Sequence, residues 1–208
     1  MKKYFLLAVI TAFSASTAVC QIGKSFPSER KEIKDPITGT MLTFLTSTQN
    51  GDAKIYQTHN QWTSDGQWLI FRSNRAKGEA MAVNEKSGEI VQVSEGGYTG
   101  MLNVARKTMK LYFMRNEKTD TIPVTPGDTA RRRVQRPVQI IEVDLEKLFA
   151  DSKAGTLKKA TSYQRICGTT PKALGAGGDM ALDGDEQWAY FRGGPAGSGK
   201  TFIAGCKT

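Results

Sequence analysis

A hairpin pattern at residues 55–75 constrains the fold of this chain more than any other feature. The segment reads IYQTHNQWTSDGQWLIFRSNR, in which two apolar stretches flank a turn at Asp65 and Gly66. An Asp-Gly pair is a strong hairpin signal because both residues tolerate the positive φ that a tight turn between two strands needs. The pattern therefore predicts antiparallel β-sheet.

Apolar, aromatic strands like the second strand of this hairpin recur twice. Phe71, Phe113 and Phe191 each lie in such a strand, and each is followed by an arginine one or two positions later. Phe71 and Phe113 are 42 residues apart, which is the length of one four-stranded propeller blade. Phe113 and Phe191 are 78 residues apart, and an insertion at 117–137, rich in Pro, Thr, Asp and Arg, explains the excess.

The sequence thus predicts an all-β protein made of antiparallel four-stranded blades of a β-propeller, with about two and a half blades in residues 36–192. An open four-stranded sandwich is the alternative. Closed propellers need roughly four to eight blades, so the chain is interpreted as a fragment, either naturally truncated or produced by an error in the gene model. The predicted elements are strands at 40–45, 54–62, 67–72, 80–84, 89–93, 101–105, 110–113 and 138–143, a short helix at 145–149 after Asp144, an outer strand within 157–167, and a third unit from 172.

Residues 1–20 are predicted to be a signal peptide. Lys2 and Lys3 precede an apolar stretch of about ten residues, which is too short to span a membrane. Cleavage after Ala18 or after Cys20 fits the requirement for small residues, and lipidation of Cys20 is the alternative. We therefore expect an exported protein, periplasmic or secreted, in which 21–35 is an exposed arm and 193–208 is a Gly-rich, atypical tail.

The chain is basic. Its formal charge of +9 falls to +7 when Lys2 and Lys3 leave with the signal peptide. A basic surface serves solubility or attracts a polyanion. Because the protein is expected to be exported and carries no nucleic-acid-binding motif, an acidic polysaccharide fits better than nucleic acid. The arginines at 131–133 and 136 are interpreted as a solvated loop or as a polyanion site.

Two further patterns, a phosphate-loop match and a pair of cysteines, have known chemical roles in other proteins. Residues 194–201 match the phosphate-loop pattern G-x-x-x-x-G-K-T. Such a loop has to begin a helix in a parallel βαβ unit, and neither is predicted here, so no nucleotide cofactor is expected. Cys167 and Cys206 are able to pair in an oxidising compartment, although two cysteines do not make a disulfide framework.

His59 is the only histidine in the chain, and it lies in the strand expected to be innermost in its blade. That arrangement brings His59 near Arg72, Asn74 and Arg75 at one end of the propeller channel. Guanidinium groups bind carboxylates through paired hydrogen bonds, so these four residues are the predicted binding site for a carboxylated sugar. The alternative is a strand histidine whose hydrogen bonds are satisfied by its neighbours. A lone histidine cannot hold a metal ion, so no metal ligand is predicted.

Aromatic residues at strand spacing are predicted to pack in the core between blades. Stacking on sugar rings is the alternative use of these side chains. They are Trp62, Trp68, Phe71, Tyr112, Phe113, Trp188, Tyr190 and Phe191.

The run at 54–97 resembles exported relatives of the oligogalacturonate lyases, and segments 162–169 and 175–192 look like later parts of the same family. More loosely, the Asp-Gly hairpin is similar to those of propellers related to the translocation protein TolB. The resemblance covers about 23–192. It implies a seven-bladed propeller that cleaves short oligogalacturonates by β-elimination, with a divalent cation, often manganese, and basic side chains stabilising the charge that develops.

The resemblance implies that the metal ligands, a His/Gln cluster, and the catalytic His and Arg lie in later blades. His59 does not match those motifs, so no catalytic residue is assigned in this chain. The prediction is an oligogalacturonate lyase-like protein of pectin degradation, with an acidic oligosaccharide as its partner, truncated here and inactive alone. The alternative is a non-catalytic envelope propeller that binds proteins or acidic glycans.

Overall fold

The computed structural model describes residues 21–117, 137–171, 174–195, 198 and 200–208. The predicted signal peptide, including Cys20, and the arginines at 131–133 and 136 lie outside the described residues. Within the described part, no helix is long and apolar enough to cross a membrane.

The described residues form mainly short strands, with one α-helix. The elements are β1 (Ser25–Phe26), β2 (Lys31–Lys34), β3 (Met41–Phe44), β4 (Ala53–Lys54), β5 (Trp68–Arg72), β6 (Ala80–Asn84), β7 (Ile90–Gln92), β8 (Thr99–Val104), β9 (Lys110–Asn116), β10 (Val138–Asp144), α1 (Leu145–Ala154), a 3-10 turn (Ala160–Ser162), β11 (Gln164–Thr169), β12 (Leu174–Leu182), β13 (Trp188–Pro195) and β14 (Phe202–Lys207).

These strands form three main antiparallel sheets in chain order. Sheet 1 has the strand order β1-β7-β6-β5-β4, sheet 2 has β11-β10-β9-β8, and sheet 3 has β12-β13-β14. A separate hairpin pairs β2 with β3. Apart from β1, neighbours in each sheet are consecutive in sequence, as in a propeller blade. The all-β, antiparallel prediction is confirmed, and the described sheets form an open, propeller-like array.

Sheet 2 contributes to two hydrophobic cores. The first, core 1, combines side chains of sheet 1, one face of sheet 2 and helix α1. The second, core 2, combines the other face of sheet 2 with sheet 3. Side chains alternate between the two faces of a strand, and on β9 Leu111 and Phe113 enter core 1 while Tyr112 and Met114 enter core 2. A two-sheet sandwich therefore does not describe this chain.

The outer face of sheet 1 is also covered. Phe71, Met81, Val83 and Ile90 are buried there, and Phe26 and Leu45 from the N-terminal part of the chain pack against them. The segment 21–35, expected to be an exposed arm, thus contributes strand β1 and also Ile22, which is fully buried in core 1. Ile22 and strand β1 therefore belong to the folded body, whereas strands β2 and β3 are exposed along their whole length.

Helix α1 closes one side of core 1. The side chain of Asp144 accepts a hydrogen bond from the backbone N–H of Lys147 at 3.0 Å and caps the first turn, and Gly155 ends the helix with a φ of 68°. Leu145 and Leu148 are buried in core 1. The helix predicted at 145–149 after Asp144 is confirmed and extends one turn further than expected.

Helix α1 also contacts sheet 1 through an aromatic stack. The rings of Phe149 and Trp68 lie 4.2 Å apart at 14°. This stack ties a helix that follows sheet 2 in the chain to the repeated hairpin of sheet 1.

The strand predicted at 54–62 is largely wrong. Only Ala53–Lys54 pairs with β5, and Trp62 makes a single bridge to Leu69. Between them the backbone turns, because the His59 N–H donates to the Tyr56 carbonyl at 3.0 Å. Asn60 then donates its side-chain amide to the Trp62 carbonyl at 2.8 Å, a local hydrogen bond that replaces ladder pairing.

The repeated phenylalanines show how the sheets follow one another. Phe113 and Phe191 face the preceding sheet, while Ile70 and Tyr112, each one position before the repeated Phe, face the following sheet and are almost fully buried. The equivalent residue in sheet 3, Tyr190, is 42% exposed. The third sheet therefore presents the face that the first two sheets bury.

Not every aromatic residue predicted for the core is buried. Trp188 and Tyr190 stack on each other on the exposed face of sheet 3, with ring centroids 6.4 Å apart, and Trp62 is also exposed. The Gly-rich tail at 193–208 extends this sheet, since β14 pairs with β13 along its whole length.

Replacing the buried Ile141 by alanine is expected to cost about 2–5 kcal/mol of unfolding free energy, because it opens a cavity in core 1. The matched variant Ile203→Ala removes an isoleucine that is 80% exposed in β14 and should change the unfolding free energy by no more than about 0.5 kcal/mol. Urea unfolding followed by tryptophan fluorescence measures both. Equal losses of unfolding free energy in the two variants would contradict the burial of Ile141 and the exposure of Ile203.

Candidate functional site

The turn at 56–59 brings His59 to a cavity of about 490 Å³ where parts of all three sheets meet. The cavity lies between this turn, the end of β8 with the hairpin after it, and the β12–β13 turn. Its lining residues of interest are His59, Asn60, Asn103, Arg106, Lys107 and Asp183. A volume of this size suits a small ligand such as a short oligosaccharide.

Asn60 fixes the His59 turn against sheet 2. Its amide nitrogen donates to the Val104 carbonyl at 3.2 Å as well as to Trp62. His59 is half-buried, its Nδ1 lies 3.4 Å from the Thr58 hydroxyl, and its ring meets the edge of Tyr56 at 6.1 Å. The imidazole therefore has few contacts that would prevent it from binding a ligand.

Glu186 organises the loop on the opposite wall of the cavity. Its carboxylate accepts hydrogen bonds from the backbone N–H groups of Arg106 and Lys107, at 2.6 and 2.7 Å, and from the Thr108 hydroxyl at 2.7 Å. Burial alone would raise the pKa of Glu186, but these hydrogen bonds outweigh it and hold the pKa below its usual value. Glu186 has a φ of 58°, which is rare for a non-glycine residue. A strained turn therefore positions its carboxylate against the loop at 106–108.

The acidic residues that line the cavity hold loops in place through hydrogen bonds. Asp183 accepts from the backbone N–H groups of Gln187 and Trp188 at 2.8 and 2.9 Å. Lys107 pairs with the exposed Asp185 at 3.1 Å. Within the described residues, no hydrogen bond or ion pair engages the guanidinium of Arg106. The cavity thus combines an unengaged cation with an imidazole and amides, which suits an anionic, hydroxyl-rich ligand.

The structure does not bring the four predicted substrate-binding residues together. Arg72 contacts the first residues of β8, donating to the Gly100 carbonyl at 3.2 Å and the Met101 sulfur at 3.1 Å. His59 lines the cavity at the other end of the same strand, roughly 13 Å away for four residues of extended chain. The buried Nε of Arg72 has no partner among the described residues.

Arg75 and Asn74 lie at a third place, beside the loop before β4. The guanidinium of Arg75 is almost fully buried and forms ion pairs with Glu29, at 2.8 Å, and with Asp52. It also donates to the Ser73 hydroxyl at 2.9 Å. Asn74 is exposed, and its backbone N–H donates to the Asn50 carbonyl at 2.9 Å. These contacts give Arg75 a structural role as a clamp between the N-terminal segment and sheet 1.

Sequence reasoning missed Asn60, Asn103, Arg106 and Lys107. The strands predicted at 101–105 and 110–113 leave a turn between them, but the neighbours of that turn in space come from the β12–β13 turn some eighty residues later in the chain. No local sequence pattern indicates that these two turns contact each other. The one signal available was the clustering of two basic residues at a hairpin turn.

The residues of the described part do not form a metal-binding cluster. No group of three His, Cys, Asp or Glu side chains comes together there. The manganese that the resemblance implies therefore does not fit the described residues, and no chemical step is derived through it.

Two solved structures similar to this chain are oligogalacturonate lyases, but the sequence identity and the structural similarity are both low. No protein-family model matches the chain, and no curated protein matches it. Among solved structures, the oligogalacturonate lyase of Vibrio parahaemolyticus shares 12% identity at a TM-score of 0.35, over 89% of this chain and 71% of that one. An oligogalacturonate lyase in complex with manganese shares 13% identity at a TM-score of 0.36, over 90% and 72%.

The clamp around Glu29 makes stability depend on pH. Burial alone would raise the pKa of Glu29, but hydrogen bonds from Arg75, Ser47 and Thr48 lower it from 4.5 to about 2. A carboxylate with a lowered folded pKa stabilises the native state above its unfolded pKa and loses that effect as pH falls through the folded value. Wild type should therefore exceed Glu29→Gln in stability near neutral pH, and the difference should shrink from about pH 4.5 towards about pH 2.

The measurement is the urea midpoint of both proteins at a series of pH values. Glu32→Gln is the matched control, because Glu32 forms an exposed ion pair with Arg30 and should give a nearly constant, small difference. A difference between wild type and Glu29→Gln that stays constant down to pH 2 would contradict the clamp.

Proposed function

We propose that this protein is an exported, oligogalacturonate lyase-like protein of pectin degradation and that it binds short galacturonate chains in the cavity beside His59. The observation that carries the proposal is the arrangement of that cavity, in which the unengaged Arg106 faces the same space as His59 and Asn103. The basic character of the chain and the resemblance of residues 54–97 support the same class of ligand.

The chemistry of a galacturonate unit matches these groups. Its carboxylate is able to accept two parallel hydrogen bonds from the Arg106 guanidinium, which is the strongest neutral-pH recognition of a carboxylate that a side chain provides. Lys107 adds positive charge at the mouth, although it shares that charge with Asp185. Asn103 and His59 supply hydrogen-bonding groups for sugar hydroxyls, so a neutral sugar of the same size would lose mainly the Arg106 contact.

Cleavage by β-elimination needs more than recognition. A base removes the proton α to the uronate carboxyl, the bond from the β-carbon to the glycosidic oxygen breaks, and a carbon–carbon double bond forms in that sugar. The leaving oxygen takes up a proton and becomes a hydroxyl group. The resemblance implies that the base and the metal ligands of this reaction lie in later blades. We therefore propose that this chain supplies recognition and is inactive alone.

The second candidate is a non-catalytic envelope protein that binds acidic glycans. The observation in its favour is that Arg106, His59 and Asn103 line one cavity, whereas no group of three His, Cys, Asp or Glu side chains comes together within the described residues. Both candidate functions predict that the cavity binds an acidic sugar, and only a test for cleavage of that sugar distinguishes them.

Arg106→Gln should weaken the binding of trigalacturonate by at least about tenfold, which corresponds to roughly 1.4 kcal/mol and to the loss of a charge-assisted hydrogen bond. Isothermal titration of the full chain measures it, with a neutral galactose trimer as the ligand control. Arg192→Gln is the matched variant, because Arg192 is an exposed arginine on the outer face of sheet 3, away from the cavity. Equal losses in the two variants would overturn the assignment of the cavity.

The purified chain is expected to release no unsaturated product from digalacturonate, even with Mn²⁺ added, because catalysis of the elimination requires groups that the resemblance assigns elsewhere. Ultraviolet absorbance of the unsaturated product measures the reaction. Robust release would show that this chain is a complete lyase. Loss of that activity in His59→Ala, with the binding of digalacturonate unchanged, would then give His59 a role in the chemical step.

A further inference from the structure

The edge strands of sheets 2 and 3 bring the two described cysteines to the same core. Strand β11 pairs with β10 so that Gly168 faces Ile140 and Ile166 faces Ile141, and Cys167 is the extra residue between them. Such a β-bulge places two successive residues of one strand opposite a single residue of its partner. Cys167 and Gly168 therefore both approach core 2, where Cys167 packs.

Cys206 approaches the same place from sheet 3. It pairs with Ala189, which is fully buried in core 2, so the Cys206 side chain shares the face of sheet 3 that packs on sheet 2. A Cβ atom added to Gly168 would lie only 2.5 Å from the Cys206 sulfur. The missing side chain at 168 thus makes room for the Cys206 sulfur directly beside Cys167.

Both cysteines are free thiols in this structure, and both are half-buried. Neither sits in a cluster that could hold a metal within the described residues. The two thiols come from edge strands β11 and β14, which contact each other, and both pack against core 2, so they are placed to cross-link the two sheets.

We propose that Cys167 and Cys206 form an intramolecular disulfide that links sheet 2 to sheet 3 when the protein meets a disulfide oxidant. In the reaction, one thiolate attacks the oxidant and forms a mixed disulfide, and the second thiolate displaces the oxidant's remaining half. Two protein thiols lose two protons and two electrons, one S–S bond forms in the protein, and the oxidant's disulfide is reduced to two thiols.

The cross-link has a consequence for the cavity. It closes the segment between residues 167 and 206, which contains the β12–β13 turn that carries Asp183 and Glu186. A disulfide restricts the unfolded chain and holds the joined strands together. The oxidised protein should therefore unfold at a higher temperature and hold this wall of the cavity in place more firmly than the reduced protein.

The test uses the full chain with Cys20→Ser, which removes the third cysteine. Reduced protein is incubated with oxidised glutathione at mildly alkaline pH, because burial raises the pKa of both thiols and only thiolates react. We expect the loss of both titratable thiols, an intact mass lower by two hydrogen atoms, a monomeric protein, and a proteolytic fragment joining the two cysteine peptides. A rise in melting temperature that dithiothreitol reverses should accompany them.

Cys206→Ser should instead end as a mixed disulfide with glutathione at Cys167, without the reversible rise in melting temperature. Gly168→Ala should suppress the cross-link, because its methyl group takes the place of the Cys206 sulfur, whereas Gly205→Ala, a glycine replacement in β14 beside Tyr190, should leave cross-linking intact. Two separate glutathione adducts on the parent protein, or cross-links only between different molecules, would overturn the proposal. If Gly168→Ala fails to fold, the parent and Cys206→Ser still decide it.

Discussion

The structure depends on the burial of sheet 2 on both of its faces. Because side chains alternate along β9 and β10, one strand supplies two cores, with Phe113 and Ile141 in core 1 and Tyr112 and Ile140 in core 2. A shift of the register by one residue would exchange the two sets and damage both cores at once. Sheets 1 and 3 are thereby coupled through a shared middle layer without needing contact with each other.

A buried charge reinforces this register. Glu142 lies on the core 2 side of β10 and accepts hydrogen bonds from Tyr112 at 2.8 Å, from Lys110 at 3.1 Å and from Nε and Nη2 of Arg165. Burial alone would raise its pKa, but Arg165, Tyr112 and Lys110 together lower it below the usual value. Since the partners come from β9 and β11, the flanking strands of β10, this carboxylate is satisfied in only one alignment of the three strands.

Local signals predicted much of the fold, and contacts between sheets decided the rest. A few adjacent residues are enough to predict the turn at Asp65–Gly66, the strands with the repeated phenylalanines and the start of the helix at Asp144. The strand expected at 54–62 was lost because Asn60 hydrogen-bonds the nearby backbone, a choice that apolar alternation does not reveal. Arg106 could not be predicted as a site residue, because the Glu186 that positions its loop lies in the β12–β13 turn, about eighty residues later in the chain.

The face of sheet 3 that carries Trp188 and Tyr190 is uncovered within the described residues, which has a consequence for how copies of this protein behave together in solution. The Trp188 and Tyr190 rings lie close over Gly205, so the face is flat as well as aromatic. Contiguous apolar surface attracts at short range, while the excess of basic residues repels at long range. Salt screens only the repulsion, with a Debye length of about 10 Å at 0.1 M. Raising the ionic strength therefore shifts the balance towards self-association, the reverse of the effect expected for the proposed binding of an acidic sugar.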